Sequence, residues 1–289
     1  MHRAPRPFPI SSIAAFAGLA LAIPAPVEGA SREYTVHLQP SKFTLYTDPY
    51  TSEEILLGGF SGLYPAPGGH DRYYVVTDRG PAPDFVDQNG IGYKTWAVPE
   101  FGPHIVTVDL QPNGKAMVRD VRPLTRPDGT AITGLPTSLP FTDAPYDFDL
   151  NPLPLDEDSL DAEGITLDGR GYFWICEEYK PSVAKVAPDG RVLLRLVPAG
   201  TRTGIETVPT LDVLPAVLAK RRNNRGFEGI AASTDGMLYA ILQRPLNNPN
   251  RAAADANGNG RIVAIDLNAL ETGQTVIRQY LYPMPPANG

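Results

Sequence analysis

The chain has 289 residues, 42% hydrophobic and 20% charged, and its 25 Lys and Arg against 32 Asp and Glu leave a formal charge of -7. An acidic chain without a basic block excludes a nucleic-acid footprint, and past the first 30 residues no apolar run is long enough to span a bilayer. The single cysteine, Cys176, excludes an intramolecular disulfide; beside Trp174 and Ile175 it reads as a small buried hydrophobe rather than a nucleophile.

Residues 1–30 have the layout of a secretory signal peptide: His2, Arg3 and Arg6, then an apolar core from Ile10 to Ile23, then small residues ending at Gly29-Ala30. Pro24 and Pro26 break that core, which argues against a membrane anchor. The expected product is exported, periplasmic or secreted, free of the membrane and monomeric, with residues 31–289 as one domain.

The apolar runs that follow are short, rich in β-branched and aromatic residues, and separated by turn residues, which predicts an all-β chain. Tyr34–Leu38 and Phe43–Tyr46 read as two leading strands, placed either against the last sheet or as an outer strand. A first group of four follows at Gly59–Leu63, Tyr73–Thr77, His104–Leu110 and Lys115–Val121. It is interrupted by an insertion, Pro81–Pro103, that leaves from the end of the second strand and is a candidate lid. Thr125–Leu160 is irregular and leads into Asp156-Glu157-Asp158-Ser159-Leu160-Asp161-Ala162-Glu163, a carboxylate run that would ordinarily be a solvated loop.

The second group reads as Ile165–Leu167, Tyr172–Glu177, Val183–Ala187 and Arg191–Val197, with turn signals at Asp168-Gly169 and Asp189-Gly190. Val213–Arg222 has helical spacing, with Leu214, Val217 and Leu218 on one face, and predicts one short surface helix. The third group takes Gly229–Ala232, Met237–Gln243, Arg261–Leu267 and Thr275–Tyr282. Inside it, Asp255-Ala256-Asn257-Gly258-Asn259-Gly260 matches the first half of a calcium loop with Asp266 in the twelfth position; an Asn/Gly hairpin turn is the competing reading.

The groups repeat one phrase. Glu163-Gly164-Ile165 recurs as Glu228-Gly229-Ile230, 65 positions on, and Glu178 and Gln243 are separated by the same 65. A third copy, Ser61-Gly62-Leu63 followed by Asp78, lies upstream. Repeated four-stranded antiparallel units are the blades of a β-propeller, here about three and too few to close a ring, so the ring is expected to be incomplete or open. Antiparallel pairing puts Glu163 beside Glu178, Glu228 beside Gln243, and Ser61 beside Asp78, all at one mouth of the central channel.

Asp161-Ala162-Glu163-Gly164-Ile165, Glu177-Glu178-Tyr179, Arg225-Gly226-Phe227-Glu228-Gly229-Ile230 and Gln243-Arg244-Pro245 resemble the phytase-like family, described as having an "esterase-like activity of phytase", over roughly residues 50–283. The resemblance implies an exported bacterial propeller with repeated Glu and Asp residues tied to phosphoester chemistry. Members of the family generally run longer, which implies a chain truncated at its C-terminus.

The functional expectation is a metal-dependent phosphoric ester hydrolase acting on a small-molecule phosphoester. Glu163, Glu178 and Glu228 are the catalytic candidates; Asp78, Asp161, Glu163, Glu177 and Glu228 are the ligands for Ca2+; Arg79, Lys180 and Arg244 are the phosphate binders. The alternative is a non-catalytic propeller that binds a metal or ligand, with Glu163 and Glu228 merely accepting hydrogen bonds from channel amides. A serine-esterase reading has less support, because Gly59-Phe60-Ser61-Gly62 misses the nucleophile elbow by one position and His2, His37, His70 and His104 do not cluster in the sequence.

Overall fold

The computed structural model describes residues 32–284 except Tyr50, His70, Phe141 and Asn257, so the expected signal peptide lies outside the described residues. In chain order come β1 (Thr35–Val36), α1 (Pro40–Phe43), β2 (Thr44–Thr47), β3 (Glu54–Leu56), β4 (Phe60–Pro65), β5 (Arg72–Thr77), β6 (Asp84–Val86), β7 (Gly92–Thr95), β8 (His104–Leu110), β9 (Lys115–Pro123) and β10 (Pro145–Tyr146). They are followed by β11 (Ala162–Leu167), β12 (Phe173–Glu177), β13 (Ser182–Val186), β14 (Val192–Pro198), β15 (Thr210–Leu214), a 3-10 turn at Ala216–Lys220, β16 (Phe227–Ala232), β17 (Met237–Leu242), α2 (Arg251–Ala256), β18 (Asn259–Asp266), α3 (Leu267–Glu271) and β19 (Ile277–Pro283).

Three sheets carry the architecture. Counted from the innermost strand, blade one is β4-β5-β8-β9, blade two β11-β12-β13-β14 and blade three β16-β17-β18-β19, every one of these pairs antiparallel. The inner strands β4, β11 and β16 stand side by side. The chain is therefore an all-β propeller of four-stranded blades. β1 joins the outer edge of blade one and β15 that of blade two, both in parallel.

Apolar residues on the facing sides of adjacent blades make the core. Trp174, Cys176, Val183 and Leu196 of blade two meet Leu238, Ala240, Val263 and Ile265 of blade three. Val76 and Ile105 of blade one meet Ile165, Phe173, Ile175 and Ala184 of blade two. Because β12 is covered on both faces, Phe173–Glu177 is buried throughout and lacks the polar alternation of a half-solvated strand. The other face of blade one is covered by the segment carrying Tyr34, Val36, Leu38, Phe43, Leu45 and Leu57, so the leading strands form an outer strand and a cap.

Turn chemistry explains the blade geometry. In the first turn of blade two the left-handed position falls on Gly171 (φ 86°), not Gly169, because the Asp168 carboxylate accepts from the amides of Arg170 and Tyr172 and from Trp174 Nε1. In the next turn Gly190 has φ 95°, and a Cβ there would stand 2.4 Å from the Pro123 carbonyl oxygen.

Two expectations are corrected. The helix expected over Val213–Arg222 shrinks to the 3-10 turn at Ala216–Lys220, since Val213 and Leu214 extend along β14 and Pro215 ends that strand. The stretch expected as a calcium loop is neither that loop nor a hairpin turn. Asp255 lies in α2, paired with Arg222 and Arg251, while Asp266 caps α3 by accepting from the amides of Asn268 and Ala269; Asn257 lies outside the described residues.

The insertion in blade one folds as β6 and β7, joined by β10 from the irregular stretch into a small sheet, with Trp96 buried and its Nε1 donating to the Gly134 carbonyl at 3.2 Å.

Candidate metal centre at the blade mouth

The site is set by a defect that all three inner strands share. Pairing passes from Phe60↔Thr77 to Gly62↔Val76, from Ala162↔Glu177 to Gly164↔Cys176, and from Phe227↔Leu242 to Gly229↔Ile241. Each step leaves one extra residue on the inner strand: Ser61, Glu163 and Glu228. An extra residue of this kind is unpaired and re-aimed, which is how a bulge redirects a side chain out of the ladder.

The glycine after each bulge has its own reason. A Cβ on Gly62 would stand 2.8 Å from Gly164 Cα, and one on Gly164 would stand 2.9 Å from Cys176 Sγ and 3.1 Å from the Ile230 amide nitrogen. The inner strands are too close for any side chain there. In blade two the Glu-Gly-Ile phrase thus encodes bulge, close approach and core contact in succession, whereas a Cβ on Gly229 of blade three would meet only Ile241 of its own blade among the described residues.

One step beyond the ladder, the amides of Asp78, Glu178 and Gln243 donate to the carbonyls of Gly59, Asp161 and Gly226 at 2.7, 3.0 and 2.9 Å. These three residues are equivalent and follow the end of each second strand. Blade two adds Asp161 where the others have Gly59 and Gly226. Asp161, Glu163 and Glu178 offer carboxylate oxygens that all lie within 4.8 Å of one another. Glu228 stands beside Glu178 and disfavours its ionisation.

Three carboxyls this close, withdrawn from water, resist ionising together. Glu163 is held well above the usual range by burial, then by the charges of Asp161, Glu178 and Glu228. Glu178 is raised by burial, Asp161 and Glu228, with Arg225 opposing. Asp161 is raised by burial although Arg79 pulls it down, and Asp78 is pushed up to about 7 by burial and Asp161. The Glu228 Oε2 and Gln243 Oε1 atoms are buried with no hydrogen-bond partner. Clustered hard oxygens, raised carboxyls and two partnerless oxygens fit a hard divalent cation such as Ca2+ or Mg2+, with Asp161, Glu163 and Glu178 as the ligand core.

Arg79 lies in the wall of the site. Its Nη1 donates to Asp161 Oδ2 at 2.9 Å and to the Tyr179 hydroxyl at 2.9 Å, and also to Asn224. The contact with Asp161 makes Arg79 the group that fixes it. Arg244 is exposed.

Glu177 and Lys180 are corrected more fully. Glu177 neighbours Glu178 along the strand and so points to the opposite face. It is fully buried, accepting from the amides of Tyr179 and Lys180, from Ser182 Oγ at 2.6 Å and from Arg195 Nη2 at 2.9 Å. Lys180 is 1% exposed and spans Glu157 at 3.0 Å and Glu206 at 3.4 Å.

The carboxylate run is likewise no solvated loop. Asp156 and Asp158 are paired with Arg126, and Glu157 with Lys180, leaving only Asp161 and Glu163 for the mouth. The sequence reading missed Tyr179 and Asn224 as anchors of Arg79; the one local trace is the position of Tyr179 directly after Glu178, at the lip of the hairpin.

The profile of the phytase-like family, "esterase-like activity of phytase", matches residues 55–289. A fungal relative from Arthroderma benhamiae, described as an uncharacterized secreted protein, is 30% identical over 187 residues, covering 54% of this chain and 36% of its own, so the chain spans little more than a third of that relative.

Among solved structures, virginiamycin B lyase of Staphylococcus aureus bound to quinupristin aligns at 13% identity over 79% of this chain and 72% of its own, TM-score 0.32. A periplasmic gluconolactonase of Pseudomonas aeruginosa aligns at 12% over 81% and 77%, TM-score 0.30. Neither bears on the chemistry of the site. No helix among the described residues is long and apolar enough to cross a membrane. With the repeated bulge-and-glycine phrase and a family profile matched from residue 55 to residue 289, this chain belongs to the phytase-like family.

Proposed function

We propose that this phytase-like chain is an exported hydrolase of phosphoric esters whose reaction centre is a Ca2+ ion held by Asp161, Glu163 and Glu178, with Glu228 alongside. The observation that carries this reading is the convergence of three carboxylates with oxygens within 4.8 Å of one another, beside the partnerless oxygens of Glu228 and Gln243. A bound divalent cation supplies Lewis acidity toward a phosphoryl oxygen.

The chain's own groups do the rest. Arg79 fixes the Asp161 carboxylate; Glu228, beside Glu178, is the proton acceptor at the mouth; Arg225, next to Glu178, and the exposed Arg244 supply positive charge for the ester. Asp78 is a further ligand candidate on the blade-one side. The N-terminal 30 residues and the secreted relative support a place outside the cytoplasm, periplasmic or extracellular.

The test is turnover of an aryl phosphate and of phytate in EDTA and in Ca2+, with a Glu163→Gln, Glu228→Gln double variant as control. Ca2+-dependent turnover lost in the folded variant is the expected result. Calcium binding measured by calorimetry without any turnover would leave a metal-binding propeller and remove the hydrolase.

A further inference from the structure

The link from blade two to blade three is a tight turn, Arg222-Asn223-Asn224-Arg225, closed by a bridge between Arg222 and Arg225. Its residues are tied to separate parts of the molecule. Just before it, the buried Arg221 donates through Nε to the Tyr179 carbonyl and through Nη1 to the Pro140 carbonyl at 3.2 Å. Arg222 pairs with Asp255, and Asn223 Nδ2 donates to Asp143 Oδ1 at 2.8 Å. Asn224 Oδ1 accepts from Arg79 Nη1, which comes from blade one. Just after the turn, a Cβ on Gly226 would stand 2.2 Å from the Glu178 carbonyl oxygen, so the chain lies directly on the backbone of that carboxylate residue.

Asn224 holds the strained position in this turn, with φ 50°. Glycine takes that conformation at no steric cost, so the turn by itself does not call for a side chain. What asparagine adds is the Oδ1 that meets Arg79. Arg79 Nη1 carries two hydrogens and meets three acceptors among the described residues: Asp161 Oδ2 and the Tyr179 hydroxyl, both at 2.9 Å, and Asn224 Oδ1. The Arg79 backbone is fixed as well, since its amide donates to Asp161 Oδ1 at 3.2 Å and a Cβ on Gly134 would stand 2.0 Å from its carbonyl oxygen. The position of the guanidinium is thus set by its three acceptors.

We propose that Asn224 is a positioning residue of the cation site, acting through Arg79 on Asp161, an assignment that rests on Ca2+ being held by Asp161, Glu163 and Glu178. Groups that hold a ligand in place govern its affinity nearly as much as the ligand itself. Asn224 draws the guanidinium to its own side. Without that acceptor both Nη1 hydrogens turn to Asp161 and Tyr179, and the guanidinium settles on the carboxylate that a cation must share. The same turn carries Arg225, whose Nη1 donates to the Asn224 carbonyl; that contact is to the main chain and survives replacement of the side chain.

Calorimetric titration of the purified protein with Ca2+ tests the assignment. Asn224→Gly keeps the left-handed turn and the contact to Arg225, and should weaken Ca2+ binding by about tenfold while still unfolding cooperatively in urea with EDTA. Asn224→Asp retains an acceptor at the same place and tolerates the same backbone, and should bind Ca2+ as the natural protein does. In an Arg79→Lys background Asn224→Gly should add nothing, a non-additivity that a purely structural role does not produce. Unchanged affinity in Asn224→Gly, equal losses in the Gly and Asp variants, or the same loss in both backgrounds overturns the role of Asn224 and leaves the cation site standing. A natural protein that binds no Ca2+ overturns the site and this role together. If Arg79→Lys does not fold, the Gly and Asp variants decide the matter.

Discussion

Replacing Glu163 by Gln should make the metal-free protein more stable, although it removes a side chain from the proposed site. Glu163 has an ordinary value of 4.5 and stays protonated in the folded chain past neutral pH, because burial and the Asp161, Glu178 and Glu228 charges oppose its ionisation. The folded state therefore binds more protons than the unfolded state from about pH 4.5 upward, and stability falls as pH rises through that window. Each unit of displacement is worth about 1.4 kcal/mol, so by about pH 7 a carboxyl still protonated opposes folding by roughly 3 kcal/mol.

Gln resembles the protonated acid at every pH. Allowing for relief shared among the coupled carboxyls, Glu163→Gln should gain roughly 1–3 kcal/mol near pH 8 in EDTA and almost nothing near pH 5. Excess Ca2+ should reverse the order, stabilising the natural protein by about 2.7 kcal/mol at a hundredfold excess over the dissociation constant and the variant by much less. Urea unfolding at both pH values, with EDTA and with Ca2+, measures all four quantities. If the natural protein in EDTA is as stable near pH 8 as near pH 5, and the variant is weaker in both, the carboxyls are satisfied internally and no cation is called for.

Other parts of the molecule give predictions of opposite sign. Glu206 is held down to about 2, its burial outweighed by the amides of Thr203 and Gly204 and by Lys180, so its contribution is present above its ordinary value of 4.5 and is lost as pH falls toward 2; Glu206→Gln should flatten the acid limb of the stability profile. Glu177→Ala leaves the buried Arg195 guanidinium without its carboxylate and should cost roughly 3–5 kcal/mol in thermal or urea unfolding. Lys180→Met should lower stability by unpairing Glu157 and Glu206 while leaving calorimetric Ca2+ affinity unchanged, because Lys180 does not reach the mouth. Gly164→Ala must displace Cys176 or the Ile230 backbone and should destabilise by about 1–3 kcal/mol, read from the urea midpoint, more than Gly169→Ala, which meets open space.

Local chemistry along the chain determined the strands, their grouping into four-stranded blades and the neighbours Glu163 and Glu178, because β-branched runs, turn residues and antiparallel pairing are all short-range facts. The repeated phrase likewise marked Ser61, Glu163 and Glu228 as equivalent, though not that each is the extra residue of a bulge. Bulges depend on how a strand pairs and how closely the next blade approaches, which no single phrase states.

Tertiary structure alone decided which charges stay available. Lys180 and Glu177 sit beside Glu178 in sequence yet are consumed by Glu157, Glu206 and Arg195, residues brought in from other segments to neutralise charges that burial would otherwise make costly. Asp161 stands close to Glu163 in the chain, but the guanidinium that fixes it comes from blade one, 82 positions away. Sequence could place the carboxylates at one mouth; only the folded chain, by pairing most of the acidic run with distant Arg and Lys, left Asp161, Glu163 and Glu178 sharing a space that like charges cannot occupy unaided.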